Sequence, residues 1–140
     1  MADDIAVIIL AAGAGTRMKS ATPKMLHEVA GRSMVAHALH AAAGVHPQHL
    51  IAVVGHGRDQ VVPAIAQEDL SDYGVTEVAT AVQEEQNGTG HAVACGLNEL
   101  PDDFSGTVLV TTSDIPMLNA ETLAALLAEH DTLPRAAVTV

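Results

Sequence analysis

Two short stretches of this 140-residue chain combine residue types able to act on a phosphate-bearing ligand. The first is Leu10-Ala11-Ala12-Gly13-Ala14-Gly15-Thr16-Arg17-Met18, followed by Pro23-Lys24. Gly13 and Gly15 let the backbone turn sharply and approach a ligand with no Cβ in the way. Successive backbone N–H groups in such a turn can cradle phosphate oxygens. Arg17 then offers a planar fork of donors and Lys24 a compact charge, and both can reach a polyphosphate. The second stretch is Val110-Thr111-Thr112-Ser113-Asp114-Ile115-Pro116. An Asp placed after an apolar run, in a loop broken by Pro, is positioned either to form the turn or to hold Mg²⁺, which takes one or two carboxylates plus waters and substrate phosphates.

The charge distribution singles out the same region. The net charge is −11, yet four of the six Lys and Arg residues lie between Arg17 and Arg32, opposed there only by Glu28. Such an acidic chain is a poor general binder of nucleic acid or anionic membrane. A Walker P-loop would need Gly-Lys-Ser/Thr, which is absent. A dinucleotide fingerprint would need a third Gly where Met18 stands and an acid after the second strand, where Gly55-His56-Gly57 is found. A nicotinamide dehydrogenase is therefore a poor reading.

The remaining chemistry-bearing residues are read more plainly. The single Cys95 rules out an intramolecular disulfide and a Cys-rich zinc site, and its apolar neighbours suggest a small buried thiol. His37 and His40 share a helix face, but no acid or Cys stands with them in the sequence, so partly exposed helix residues are expected rather than a metal pair.

The elements that must position these residues alternate. Ile5–Ala11 is an almost unbroken apolar run, expected as a strand buried on both faces. Ser33 can cap a helix with the stripe Met34, Val35, Ala38, Leu39, Ala42 and Ala43, ending at Gly44. His49–Val54 reads as a second strand and Arg58–Gln67 as a helix that Pro63 should bend or start late. Thr76–Val82 reads as a third strand, Thr89 as the cap of a helix to about Leu100, and Gly106–Thr112 as a fourth strand. Asn119 can cap a last helix with Glu121 in its first turn, and Ala136–Val140 is again strand-like. Strand–helix alternation of this kind predicts an α/β fold with a mostly parallel sheet, whose ligands bind beyond the carboxyl ends of the strands. The loops at Gly13, Gln83 and Asp114 each follow a strand and should share one rim.

Composition supports a packed domain. Hydrophobic residues make up 49% and mean hydropathy is +0.27. Tyr73 and Phe104 are the only aromatics, and 25 Ala suggest close helix packing. No apolar run approaches the roughly 18 residues of a membrane span, and acids stand at Asp3 and Asp4 where a signal peptide would be basic, so a soluble cytoplasmic protein is expected.

Leu10-Ala11-Ala12-Gly13-x-Gly15-Thr16-Arg17-Met18 with Pro23-Lys24-Met25-Leu26 resembles the signature of the sugar-phosphate nucleotidyltransferases. His27, Ala30-Gly31 and Glu84-Glu85-Gln86-Asn87-Gly88-Thr89-Gly90-His91-Ala92 are similar to the uridyltransferase branch that makes UDP-N-acetylglucosamine. The resemblance runs from Ile5 to at least Leu127. It implies a Rossmann-like sheet with flanking helices, the nucleotide-diphospho-sugar transferase fold, in truncated form. It implies that Leu10, Ala11, Ala12, Gly13, Gly15 and Lys24 contact the nucleotide, with Gln83, Gln86, Gly88 and Thr89 at the uracil and Thr112, Ser113 and Asp114 beyond it. Arg17 and Lys24 would be catalytic and Asp114 would hold Mg²⁺. Uracil presents carbonyl acceptors around an imide donor, and a Gln83 amide can offer both a donor and an acceptor to that edge. Gly88 would remove bulk where a flat base must lie.

The implied reaction joins UTP and N-acetylglucosamine 1-phosphate into UDP-N-acetylglucosamine and pyrophosphate, for cell-wall precursor synthesis. Residues 1–140 would be the front part of that nucleotidyltransferase domain, without the sugar-binding half, the second metal ligand or the left-handed β-helix acetyltransferase domain that drives trimer formation. The chain alone is then expected to bind nucleotide weakly and not turn over. Ser113 departs from the family's Gly-Asp, and a required positive φ there would cost roughly 1 kcal/mol or more. The competing readings are a molybdopterin-type or cytidylyl transferase, or a non-catalytic nucleotide-binding module.

Overall fold

The computed structural model describes residues 4–11, 28–29, 31–55, 58–75, 77–84, 88–104, 106–112 and 119–132. Its main sheet has four parallel strands: β1 (Asp4–Leu10), β4 (His49–Val54), β5 (Ala79–Val82) and β6 (Gly106–Thr112). Their spatial order is β5-β4-β1-β6. The chain builds outward from β1 to β4 and β5, then returns to place β6 on the other side of β1. That reversal is the topological switch point of a doubly wound sheet.

The apolar run at 5–11 forms the central strand because both its faces are covered. Ala6, Val7, Ile8 and Ile9 have no exposed surface. Alternation sends Val7, Ile9 and Ala11 to one side and Ile8 and Leu10 to the other. The first side packs on α1 (Met34–Ala43), α2 (Arg58–Ala66) and α4 (Ala120–Thr132) through Leu39, Ala42, Val61, Ile65 and Leu123. The second side packs on α3 (Thr89–Leu97) through Ala92 and the half-buried Cys95. Burying one Val or Ile of this kind contributes about 1.5–3 kcal/mol. Gly96 sets how closely α3 lies: a Cβ there would meet Ile8 Cγ2 at 2.8 Å and Val53 Cγ2 at 3.2 Å. Among the described residues β6 stands at one end of the sheet, with Val110 exposed beside Leu97 of α3.

Several expected caps are observed. Ser33 Oγ accepts from the Ala36 N–H at 3.2 Å, and Asn119 Oδ1 accepts from the Thr122 N–H at 2.9 Å. Pro63 lies inside α2, yet the helix starts at Arg58 without delay, and the proline leaves the Asp59 carbonyl without an N–H from position 63. The third strand is shorter than its apolar pattern, starting at Ala79. A two-stranded antiparallel hairpin, β2 (Glu28–Val29) with β3 (Arg32–Ser33), and a 3₁₀ turn at Ser71–Tyr73 were not legible as elements. Among the described residues no helix is long and apolar enough to cross a membrane.

Candidate functional site

The carboxyl ends of all four parallel strands lie on one rim. Leu10 is in register with Val53 on one side and Thr112 on the other. Beyond the ladder, Ala11 N–H donates to Val53 O at 2.8 Å and Gln83 N–H donates to Val54 O at 2.8 Å. Gln83, Val54, Ala11 and Thr112 thus form one line across the sheet. Three strand spacings, roughly 14 Å, separate the Gln83 strand from the Thr112 strand. Thr112 and Leu10 flank the switch point, where an open α/β sheet leaves its binding crevice.

The described part of the expected site is therefore Leu10, Ala11, Gln83, Gly88, the Thr89 backbone and Thr112, and the first three with Thr112 share this rim. Ala12, Gly13, Gly15, Arg17, Lys24, Gln86, Ser113 and Asp114 lie outside the described residues, as does His56.

Gln83 departs from expectation. It is only 4% exposed, and its amide nitrogen is held internally. Gln83 Nε2 donates to the Gly88 carbonyl at 3.2 Å and lies 3.1 Å from His91 Nδ1. The same Gly88 carbonyl also accepts the first helical bond of α3, from Ala92 N–H at 3.2 Å. The amide cannot offer its donor half to a base while these contacts stand. The Gly88 carbonyl can only accept, so the nitrogen is the Gln83 atom that faces it, and His91 Nδ1 meets the second hydrogen in the tautomer that leaves Nδ1 unprotonated.

The start of α3 also corrects the sequence reading. The cap is Gly88, with φ 98° and ψ 174°, and no side chain caps the helix there; Thr89 is its first residue. That backbone region is essentially open to glycine alone. A Cβ at Gly88 would meet nothing within 4 Å, so the position is also free of bulk, as a stacked base would require.

The histidines settle differently from one another. His40 does have an acid partner, brought in from 28 residues away. Its Nε2 lies 3.2 Å from Glu68 Oε2, and its Nδ1 lies 3.3 Å from the Tyr73 hydroxyl. Tyr73 packs edge-on to the ring at 5.8 Å. With both nitrogens engaged, His40 ties α1 to the segment after α2. Among the described residues no group of three or more His, Cys, Asp or Glu could hold an ion. Cys95 is half-buried rather than buried, with Sγ 3.9 Å from His91 Nε2. His91 is not among the residues that the resemblance places at the site. Its sequence signal is its place in Gly88-Thr89-Gly90-His91, in the first turn of α3.

A family model described as MobA-like NTP transferase domain matches residues 7–140. The chain belongs to this family. Within the MobA-like NTP transferases it is similar to the bifunctional protein GlmU of Mycolicibacterium gilvum (strain PYR-GCK), 60% identical over 128 residues, covering 91% of this chain and 25% of that protein. It is also similar to the bifunctional protein GlmU of Nocardia farcinica (strain IFM 10152), 57% identical over 141 residues, covering 100% of this chain and 28% of that protein. The chain thus spans about a quarter of the length of the curated relatives it matches. Among solved structures it is similar in fold to Rv0371c from Mycobacterium tuberculosis H37Rv, with TM-score 0.72, 22% identity, and coverage of 91% of this chain and 61% of that one. The MobA-like NTP transferase assignment agrees with the parallel sheet, its flanking helices and the switch-point rim.

Proposed function

We propose that this chain is the nucleotide-binding front part of a uridyltransferase domain that forms UDP-N-acetylglucosamine and pyrophosphate from UTP and N-acetylglucosamine 1-phosphate. The observation that carries the reading is the rim itself. Gln83 is buried and hydrogen-bonded at one end, and the Leu10–Thr112 switch point stands two to three strands away. The base would lie toward Gln83 and Gly88, and the phosphates toward the loop that follows Ala11. High identity to GlmU proteins over nearly the whole chain supports the same branch.

In this reading the sugar phosphate oxygen attacks the α-phosphorus of UTP in line and displaces pyrophosphate. The attacking group is already an anion, so no general base is required and no covalent enzyme intermediate forms. The chain's task is positioning and charge neutralisation. Backbone N–H groups around Gly13 and Gly15 hold phosphate oxygens, and Arg17 and Lys24 offset their charge. Asp114 follows Thr112 by two residues, at the strand end paired with Leu10, and a lone carboxylate there suits Mg²⁺, which completes its shell with waters and phosphates. Bound there, Mg²⁺ would supply charge neutralisation at the phosphates. At full length the protein would carry the sugar-binding half, the acetyltransferase domain and a homotrimeric assembly, in the cytoplasm.

A thermal-shift comparison of UTP, CTP and GTP with Mg²⁺ tests the base assignment. UTP should give the largest stabilisation, and an equal or larger shift with CTP or GTP would refute it. Arg17→Ala at full length should keep the fold and lower turnover by about 10²–10³; near-normal rates would remove Arg17 from the mechanism.

A further inference from the structure

Two glycines flank Thr89 at the start of α3, and the chain itself accounts for only one of them. Gly88 is required by its positive φ. Gly90, the second residue of the helix, is exposed and has no positive φ, and a Cβ there would meet nothing within 4 Å. Neither backbone strain nor crowding inside the protein asks for glycine at this position. Glycine is also the entropically poorer choice in a helix. The chain thus keeps clear a space that it does not itself fill.

That space opens toward the candidate site. Val93 and Leu97 line the groove beside β6. Helical spacing puts Gly90 on the same face of α3, one turn nearer the rim. The next residue, His91, turns instead toward Gln83. Each Cα–Cβ bond of a helix tilts toward its N-terminus, which for α3 is the rim. A Cβ at position 90 would therefore project toward the crevice between the start of α3 and the end of β6 at Thr112. The geometry points to Gly90 as a residue of the nucleotide site, one that leaves room for the ribose against the bare first turn of α3. This inference rests on the uridyltransferase reading and deepens it. With the base toward Gln83 and Gly88 and the phosphates toward the loop after Ala11, the ribose crosses from one to the other past this turn.

The test is UTP affinity with Mg²⁺ by calorimetry, beside the thermal midpoint without nucleotide, on the protein at its full natural length. Gly90→Ala should weaken UTP binding by about five- to a hundredfold, the cost of one methyl forced into a packed contact. Its nucleotide-free midpoint should hold or rise by about 1–4 °C, because alanine fits this backbone and restricts the unfolded chain. Ala94→Leu, which adds more bulk one turn further along the exposed side of α3, should leave UTP affinity unchanged. Wild-type affinity in Gly90→Ala overturns the proposal. So does a lowered nucleotide-free midpoint in that variant, which would make the glycine a requirement of the fold, and so does an equal loss of affinity in Ala94→Leu. A wild-type protein that does not bind UTP refutes the uridyltransferase reading instead, which separates the two failures.

Discussion

Replacing Gly88 by alanine isolates a backbone effect at the candidate base site. Gly88 sits at φ 98° and ψ 174°, and the added Cβ would meet no atom within 4 Å. Steric crowding is thus no part of the cost, which comes from the dihedral angles. Holding an L-residue in this region costs about 1–3 kcal/mol. Restricting the unfolded chain returns about 0.4–1 kcal/mol in alanine's favour. The strain wins, with a net loss of about 1–2 kcal/mol. For a chain of this size that lowers the melting temperature by about 3–8 °C. The assay is thermal and urea unfolding of both proteins, with the urea midpoint falling at unchanged slope. A D-alanine introduced by semisynthesis is the control: it prefers positive φ and should match or exceed wild-type stability. Relaxation of the L-alanine variant would also move the Gly88 carbonyl away from Gln83, so uridine nucleotide affinity should fall with stability. An L-alanine variant as stable as wild type would refute the account of how α3 begins.

Gly96→Ala should destabilise as well, for the opposite reason. Helix propensity favours alanine by about 1 kcal/mol, but a Cβ 2.8 Å from Ile8 Cγ2 must push α3 off the sheet, an overpacking cost of about 1–3 kcal/mol; a raised urea midpoint would show that α3 shifts freely. Asn119→Ala should cost about 1 kcal/mol through loss of the bond to Thr122 N–H, read as a lower thermal midpoint, while Asn119→Asp should retain most of it. Asp69 is held below the usual carboxylate range by the Ser71 hydroxyl and then by the Ser71 N–H. A depressed folded value means stability present above the unfolded value and lost as pH falls through the folded one, so Ser71→Ala should move the Asp69 titration upward by NMR, and an unmoved titration would show that the hydroxyl is irrelevant. Ser113→Gly should tighten nucleotide binding, and an unchanged calorimetric affinity would show the serine to be harmless.

Much of the architecture was readable from local pattern. The continuous run at 5–11 predicted a strand buried on both faces, and β1 is that strand, because helices cover both sides of the sheet. His49–Val54 and Gly106–Thr112 took their expected bounds, and Ser33 and Asn119 cap where short polar side chains precede apolar periodicity. The third strand came out shorter than its pattern, because a four-residue pairing with β4 is what the register provides. The hairpin at residues 28–33 has strands of two residues each, too short for any period to show.

The sequence by itself determined the alternation of strand and helix, the residue types available at each strand end and, through its motifs, the family. It could not determine what those side chains would bond to. Gln83 read as a two-sided donor and acceptor because an amide has both. Only the fold brings the Gly88 carbonyl and the His91 ring to the same nitrogen. His40 read as partnerless because Glu68 and Tyr73 are distant in the chain, and packing of α1 against the segment after α2 supplies them. Backbone dihedrals are likewise invisible to composition: Thr89 has the better capping side chain, yet Gly88 caps α3, because only glycine tolerates the turn that leads out of the Gln83 loop.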